Sequence, residues 1–130
     1  MSFSNDKAIY LQMADRIADR ILNGELLADQ RIPSVREYAV SLGVNANTAV
    51  KAYDSLAQDG IIYNRRGLGY FVAENAADRI RQSRRKAFFH DALPEVFRQM
   101  CLLDISITEV DKHWADYSAA KEQQANNDKL

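Results

Sequence analysis

The stretch that decides the fold is residues 32–72, IPSVREYAVSLGVNANTAVKAYDSLAQDGIIYNRRGLGYFV. Pro33 fixes φ just ahead of Ser34, and Glu37 follows that serine at the spacing of a capping box, which marks the start of a helix. Apolar residues at helical spacing then lead to Gly43, where a helix ends readily because glycine adopts the left-handed conformation without steric cost. The stretch therefore begins with a short amphipathic helix.

A second helix is predicted directly after that glycine. Asn45 is a good N-cap residue for it. Its buried face follows at helical spacing and consists of Ala49, Ala52, Tyr53 and Leu56. Two short amphipathic helices joined by a tight turn that contains glycine form a helix-turn-helix.

Beyond Gly60 the pattern changes from helical to strand-like. Residues 61–63 and 70–72 are β-prone runs, and the connection between them, residues 64–69, contains two glycines and two arginines. This pattern predicts a two-stranded hairpin with a basic tip, which is the wing of a winged helix-turn-helix. The predicted fold class is mainly α with a small β-hairpin: a winged helix-turn-helix domain followed by a helical C-terminal segment.

The polar side chains left exposed by this fold suit double-stranded DNA. The first residues of the second helix of a helix-turn-helix lie against base edges in the major groove, where asparagine suits adenine and threonine suits a base edge or a thymine methyl. Lysine neutralises phosphates, and arginines at a hairpin tip fit the phosphate backbone or a narrow minor groove. The candidates on these grounds are Asn45, Asn47, Thr48, Lys51, Arg65 and Arg66. For Asn45 and Thr48 the alternative is helix capping, and for Asn47 it is a solvated surface.

Several ordered blocks of the sequence resemble the GntR family of bacterial transcription regulators, and the short tail is similar to the YtrA-like branch. The blocks are residues 9–12, 21–24, 32–37, 42–48, 52–53, 56, 60–62 and 67–72. The resemblance implies DNA contacts by Arg36, in the block that contains Ser34, and by Gly67 in the wing. Ser34, Arg36 and Gly67 therefore complete the set of candidate DNA-binding residues.

The sequence departs from the family pattern in two places. Many members carry an arginine inside the recognition block where this chain has Ala46, and the usual glycine before the Leu-Pro-Ser block is replaced around Asp29. The first departure affects base preference, because arginine to guanine is the commonest specific contact. DNA binding is still expected, because the basic side chains named above remain.

The distribution of charge supports this interpretation better than the net charge of −1 does. Residues 1–30 carry three basic and five acidic side chains, whereas residues 31–72 carry five basic and three acidic ones. The basic groups therefore gather in the predicted helix-turn-helix and wing. The low total predicts weak non-specific binding and a dependence on dimerisation.

The flanking segments complete the predicted organisation. Residues 1–6 are expected to be a loose arm, residues 7–22 a helix that supports the two-helix unit, and residues 25–31 a connecting loop. The predicted domains are a winged helix-turn-helix DNA-binding domain, residues 1–75, and a helical dimerisation tail, residues 76–130.

The tail begins with a charged run, which is either a further contact to the DNA backbone or a solvated helix face. Its members are Asp78, Arg79, Arg81, Arg84, Arg85 and Lys86. Pro94 is predicted to kink or break the following helix near His90 and Asp91. Ser106 and Glu109 form a second candidate capping box before a last helix, and residues 119–130 are expected to fray.

The tail is too short to close a core of its own, yet it is rich in large apolar side chains. Burial against the same segment of a second copy resolves this conflict, and a two-fold dimer would present two recognition helices to a two-fold operator. The predicted dimerisation residues are Phe88, Phe89, Leu93, Phe97, Met100, Leu103 and Trp114. A pocket for a small-molecule effector among these helices is the alternative use of the aromatic side chains.

Enzymatic function is not expected. The single cysteine, Cys101, is expected to be buried, and with His90 and His113 it lacks the spacing of a metal site. We find no nucleophile motif, phosphate-binding glycine loop, membrane span or export signal, so no cofactor and a cytoplasmic location are expected. The predicted function is a homodimeric, sequence-specific DNA-binding transcription regulator that acts as a repressor. The alternative is a winged-helix module that binds another protein through its aromatic tail.

Overall fold

The structure of the chain is a computed structural model that describes residue 3 and residues 7–128. The elements follow in the order α1 (Ile9–Leu22), α2 (Val35–Leu42), α3 (Ala46–Gln58), β1 (Ile62–Arg65), β2 (Gly69–Val72), α4 (Ala76–Ala87), a π-helical turn (Phe88–Ala92), α5 (Leu93–Leu103) and α6 (Ile107–Asp128). The predicted fold class is confirmed. The chain divides into two compact units, Met1–Arg85 and Lys86–Leu130. Apart from Phe3, the predicted N-terminal arm lies outside the described residues.

The core of the first unit lies between α1, α2, α3 and the hairpin. Tyr53 of α3 is fully buried at its centre and meets the ring of Tyr70 edge-on, with 5.2 Å between the ring centroids. The Tyr53 hydroxyl donates to the Pro33 carbonyl at 2.5 Å, and burial raises the pKa of this hydroxyl. The predicted buried face of α3 is confirmed in full: Ala49, Ala52, Tyr53 and Leu56.

The predicted caps of the helix-turn-helix are also present. The Ser34 hydroxyl accepts the backbone N–H of Glu37 at 3.1 Å, so α2 starts directly after the serine. Gly43 ends α2 in the left-handed conformation with φ 66°. The Asn45 side chain then accepts the backbone N–H of Asn47 at 2.8 Å and starts α3. Local chemistry therefore fixes both ends of the turn.

The wing is more regular than predicted. β1 and β2 pair antiparallel from Ile62 with Val72 to Arg65 with Gly69, so the strands extend into the connection predicted for residues 64–69. The turn is closed by a hydrogen bond of 2.9 Å from the Leu68 N–H to the Arg65 carbonyl. Of the predicted tip, Arg65 therefore lies in a strand, and the turn itself contains Arg66, Gly67 and Leu68.

The end of the predicted 25–31 loop also joins the sheet. Arg31 forms a β-bridge with Phe71, flanked by hydrogen bonds from the Val72 N–H to the Gln30 carbonyl at 2.9 Å and from the Ile32 N–H to the Tyr70 carbonyl at 3.0 Å. The predicted connecting loop therefore contains no helix or strand, but its last residues, Gln30 and Arg31, pair with β2. They pair because β2 would otherwise leave its second edge without partners.

The first unit extends beyond the predicted boundary at residue 75. Ala76 and Ile80 of α4 are buried in its core, so the unit reaches Arg85. Arg84 donates to the Asp19 carboxylate at 2.6 Å and Arg79 to the Asp59 carbonyl at 3.4 Å. The charged start of α4 therefore forms ion pairs and hydrogen bonds within the first unit, and its side chains are also exposed to solvent.

The second unit departs from regular α-helix near His90 and Asp91, where Pro94 was predicted to kink or break the helix. A π-helical turn over Phe88–Ala92 precedes the proline, which lies in the first turn of α5. Both halves of the predicted Ser106 and Glu109 capping box form, each at 3.2 Å. The predicted fraying is wrong up to Asp128, because α6 continues through residues 119–125, which are all alanine, lysine, glutamate or glutamine and favour helix. None of the described residues of this unit is buried.

Candidate nucleic-acid interface

The start of α3 carries four of the predicted DNA-binding residues. Asn45 is committed to capping, because its side-chain oxygen accepts the Asn47 N–H and its amide nitrogen remains as a donor. Asn47 and Lys51 are exposed one helical turn apart, and Thr48 is half-buried beside them. The first turn contains no acidic residue, so the positive end of the helix dipole is not neutralised. This end of α3 therefore favours an anionic ligand such as a phosphodiester.

The start of α2 places Arg36 in solvent while using Ser34 as a cap. The Ser34 hydroxyl already accepts a backbone hydrogen bond, so its part is helix initiation. Arg36 is exposed in the first turn of α2, and among the residues that the structure describes it has no ion-pair or hydrogen-bond partner. Its guanidinium group is thus available for a phosphate without the loss of an internal contact.

In the wing, Arg65 packs against two aromatic rings, whereas Arg66 is exposed in the turn. The rings of Tyr63 and Phe71 stack with 5.8 Å between centroids, and the Arg65 guanidinium lies over both, at 5.7 and 5.1 Å. Cation–π contacts of this kind fix the side chain against the sheet. Arg66 is exposed in the turn beside Gly67. Gly67 has a φ of 79°, in the left-handed region that glycine adopts without strain.

The predicted residues divide between the two units. All nine candidate DNA-binding residues lie in the first unit, at the starts of α2 and α3 and in the wing. All seven candidate dimerisation residues lie in the second unit. Phe88, Phe89, Phe97, Leu103 and Trp114 are 47–65% exposed, and Leu93 and Met100 are half-buried.

Sequence reasoning did not assign the part that Asp29 plays in the wing. Asp29 has φ 63°, which explains why a glycine is usual around this position; aspartate is one of the few other residues that tolerate it. Its carboxylate accepts the Tyr63 hydroxyl at 2.9 Å, and this hydrogen bond raises the pKa of Tyr63. The replacement of the usual glycine was visible in the sequence, but the hydrogen-bond partner of Asp29 on β1, Tyr63, could not be predicted from it.

Arg31 is a second residue that the candidate set omitted. Its Nε donates to the carbonyl of Leu68, in the turn of the wing, at 3.0 Å. The only sequence signal was its count among the basic residues of the segment. The contact joins positions that lie 37 residues apart, so no local pattern could have identified it.

The described residues also bear on the other classes of function. They contain no group of three side chains suited to hold a metal ion. Cys101 is exposed in the single chain, so the predicted burial of this thiol is wrong there. Within residues 7–128, no helix has the length and apolarity needed to cross a bilayer.

Comparison with known proteins gives the family. The sequence profile of the gntR family of bacterial regulatory proteins matches residues 9–72. The HTH-type transcriptional regulator YhcF of Bacillus subtilis is 46% identical over 74 residues, which are 57% of this chain and 61% of that protein. The HTH-type transcriptional repressor YtrA of the same organism is 40% identical over 68 residues, or 52% of each chain. The chain thus spans less than two thirds of the length of these two relatives.

A solved structure extends the similarity over nearly the whole chain. The crystal structure of a transcriptional regulator of the GntR family from Bacteroides thetaiotaomicron is 45% identical, with a TM-score of 0.76. The match covers 88% of this chain and 99% of that one. These relatives are transcription regulators rather than enzymes. The chain therefore belongs to the GntR family of bacterial regulatory proteins, and its helix-turn-helix is the DNA-binding domain of that family.

Proposed function

We propose that this regulator is a repressor that acts as a homodimer on a two-fold operator. The observation that carries the proposal is that the two units expose different kinds of side chain. The exposed polar and basic side chains of α2, α3 and the wing belong to one compact unit, and the large exposed apolar side chains of α5 and α6 belong to the other. The first set suits DNA and the second suits a second copy of the chain.

In this proposal the first unit contacts both the major and the minor groove of DNA. Asn47 and Thr48 contact base edges in the major groove, and Asn45 adds a donor from its cap position. Arg36 and Lys51 bind flanking phosphates. The turn of the wing places Arg66 and Gly67 at the adjacent minor groove, where the potential is most negative. With Ala46 in the recognition block, base preference rests on asparagine and threonine rather than on an arginine contact to guanine.

Dimerisation follows from the apolar surface of the second unit. Ile107, Val110, Trp114 and Tyr117 recur at the alternating three- and four-residue spacing of a coiled-coil seam. Trp114 and Tyr117 stack on each other with 6.1 Å between ring centroids, and both are more than half exposed. An exposed apolar stripe of this length is a typical subunit interface. A two-fold dimer then sets the spacing of two operator half-sites at about one helical turn or a multiple of it.

The similarity to YtrA, which is named a transcriptional repressor, supports repression as the mode of regulation. A dimer bound across a promoter prevents the polymerase from occupying the same DNA, which requires no further activity of the protein. Such a regulator acts in the cytoplasm, where bacterial DNA lies. An effector would have a candidate place in the second unit, in a cleft of about 600 Å³ lined by Phe97, Met100, Cys101, Asp104, Ile105 and Ser106.

The experiment that tests the proposal has two steps. Purified full-length protein selects fragments from random duplex DNA, and the selected duplex is then titrated at several salt concentrations with the wild type and with Arg36→Ala. We expect the logarithm of the affinity to fall linearly with the logarithm of the salt concentration, by about 0.9 per phosphate contact. Arg36→Ala should reduce both affinity and slope.

The matched control is Arg20→Ala, which removes the same charge from an arginine that already pairs with Glu25 at 3.1 Å. It should leave affinity and slope unchanged. Binding that is insensitive to salt and to Arg36→Ala would contradict the proposal. That outcome would favour the alternative, a module that binds another protein through its exposed aromatic side chains.

A further inference from the structure

The wing contains a basic side chain that comes from outside the hairpin. Residues 30–32 lie antiparallel along β2, through the Arg31 bridge to Phe71 and the hydrogen bonds on either side of it. The two-stranded sheet is therefore extended on its β2 edge by an isolated bridge at Arg31. This pairing fixes the backbone of Arg31 and brings its side chain to the wing, although the residue precedes the helix-turn-helix in sequence.

The side chain of Arg31 reaches the turn of the wing. Its Nε donates to the Leu68 carbonyl at 3.0 Å, next to Gly67 and Arg66. A Cβ atom at Gly69 would lie 3.3 Å from this Nε, tighter than an ordinary contact, and Gly69 also has φ 105°. The glycine thus leaves room for the guanidinium group to lie across the strand. Among the described residues, the two terminal nitrogens of Arg31 have no hydrogen-bond or ion-pair partner.

The solvent side of the sheet places Arg31 in a row with two aromatic neighbours. Residues that pair directly across strands point to the same face, so Arg31, Phe71 and Tyr63 share one face. Arg65 lies over the two rings of this row. The opposite face carries Ile62 and Val72, which are buried in the core. The exposed face of the wing thus presents two arginines together with a stacked aromatic pair.

One acidic group belongs to the same region, and it is already engaged. The Asp29 carboxylate accepts the Tyr63 hydroxyl at 2.9 Å, and it makes no ion pair with Arg31 or Arg65 among the described residues. The two guanidinium groups therefore remain uncompensated by an ion pair, on a face next to an exposed basic turn.

We propose that Arg31 is a further DNA-binding residue, which binds a backbone phosphodiester with its terminal nitrogens while its Nε holds the turn of the wing. This inference rests on the proposed function, because it needs the wing to lie against DNA. A guanidinium group can serve both contacts at once, since it has five N–H donors in a rigid planar fork. A lysine in its place keeps the charge, but its three donors lie on one nitrogen, so it has no separate group to hold the Leu68 carbonyl while another binds the phosphate. Arg31 thereby couples the position of the wing to the phosphate that it binds.

The test compares Arg31→Gln and Arg31→Lys with the wild type on the selected duplex, with affinity measured across a range of salt concentrations. For a dimer with two such contacts, Arg31→Gln should weaken binding by roughly tenfold or more. It should also reduce the salt slope by about 1.8, since each lost phosphate contact accounts for about 0.9. Arg31→Lys should retain the slope of the wild type and show an intermediate affinity.

The control is Arg20→Gln, which carries the same loss of charge at an arginine paired with Glu25. It should leave the slope unchanged. A second measurement replaces single phosphates of the duplex by neutral methylphosphonates. One replacement in each half-site should weaken binding by the wild type and by Arg20→Gln, yet have no effect on Arg31→Gln. This measurement separates a phosphate contact from a purely structural role, because a destabilised wing would still sense every phosphate.

The outcomes separate this inference from the function on which it rests. If the wild type binds with a steep salt dependence and Arg36→Ala weakens it, the proposed function stands. A wild-type slope for Arg31→Gln, with every methylphosphonate effect retained, would then overturn the assignment of Arg31 alone. Binding by the wild type without salt dependence would overturn the proposed function itself. If Arg31→Gln unfolds at a lower temperature than the wild type, the salt slope and the methylphosphonate effects are measured at a temperature at which both proteins are folded, and the same outcomes decide.

Discussion

The two compact units are made of similar helices but differ in what they bury. The first unit encloses Tyr53, Met13 and Ile17 almost completely. In the second, no described residue is buried, although Phe88, Phe97 and Trp114 are as apolar as the core of the first. The first unit packs α1, α2, α3, the start of α4 and a hairpin around one core. In the second unit, α5 and α6 have no further layer to pack against within the described chain. Apolar content alone therefore does not tell a core from an interface.

Both units contain a helix that starts with a serine N-cap. Ser34 starts α2 and Ser106 starts α6 through equivalent hydrogen bonds to a backbone N–H three residues later, at 3.1 and 3.2 Å. Capping chemistry thus forms helices equally well in the two units. Only the packing around the helices differs, and we propose that a second copy of the chain supplies what the second unit lacks.

The largest effect should come from the centre of the first unit. Tyr53→Ala removes a fully buried ring and the hydrogen bond to the Pro33 carbonyl. We expect it to lower the free energy of unfolding by about 3–5 kcal/mol, measured by denaturant titration. Tyr53→Phe keeps the ring and should cost about 1 kcal/mol, with a carbonyl left without its donor. A loss below that of Tyr53→Phe would mean that this centre is not the core.

A comparable truncation in the second unit should act on association instead. Trp114 is 63% exposed in the single chain, so Trp114→Ala should change the stability of a monomer by no more than about 0.5 kcal/mol. In a dimer it should raise the dissociation constant about 30-fold to 1,000-fold, as for a buried aromatic anchor. Sedimentation equilibrium measures this constant, with Lys112→Ala as a control on the same helix. Wild-type protein that stays monomeric at every concentration would refute the interface.

The paired serines give a smaller and more diagnostic effect. Ser34→Ala should lower the free energy of unfolding of the first unit by about 1 kcal/mol, because α2 loses its N-cap. Ser106→Ala removes the same kind of cap from α6. If α6 is stabilised by association, the effect of Ser106→Ala should depend on protein concentration and that of Ser34→Ala should not. Thermal unfolding at two protein concentrations tests both, and equal concentration dependence for the two variants would argue against the distinction.

The smallest effect concerns the wing. The Tyr63 hydroxyl donates a hydrogen bond to Asp29, which raises the pKa of Tyr63. The stability that this hydrogen bond contributes is therefore present below the ordinary tyrosine pKa and is lost as the pH rises through the raised pKa. Asp29→Asn should lower the pKa of Tyr63. Tyrosinate absorbance, with Tyr63→Phe to identify the group, follows the titration. An unchanged midpoint in Asp29→Asn would show that the hydrogen bond is absent in solution.

The features that the sequence predicted correctly depend on neighbours in the chain. The caps at Ser34 and Asn45, the left-handed Gly43 and the irregular helical turn before Pro94 each follow from interactions within one or two helical turns. The buried face of α3 follows from helical spacing in the same way. All of these are local, so a single sequence contains the information.

The features that the sequence did not predict depend on distant partners. The bridge between Arg31 and Phe71 and the hydrogen bond from Arg31 to Leu68 join segments on either side of the helix-turn-helix. The same pairing ties the end of the predicted loop to the β2 edge. Cys101 was expected inside because free cysteine is usually buried, and it is exposed where the single chain has no further layer. Its burial in a dimer stays a prediction.

We propose that the second unit, by dimerising, doubles the DNA-binding surface of the first. The most direct measurement is the mass of the complex between the full-length protein and its selected duplex, by sedimentation or native mass spectrometry. We expect two chains for each duplex, with a two-fold sequence between the contacted positions and loss of the second chain in Trp114→Ala. A stable complex of one chain with one duplex, unchanged in Trp114→Ala, would contradict this claim.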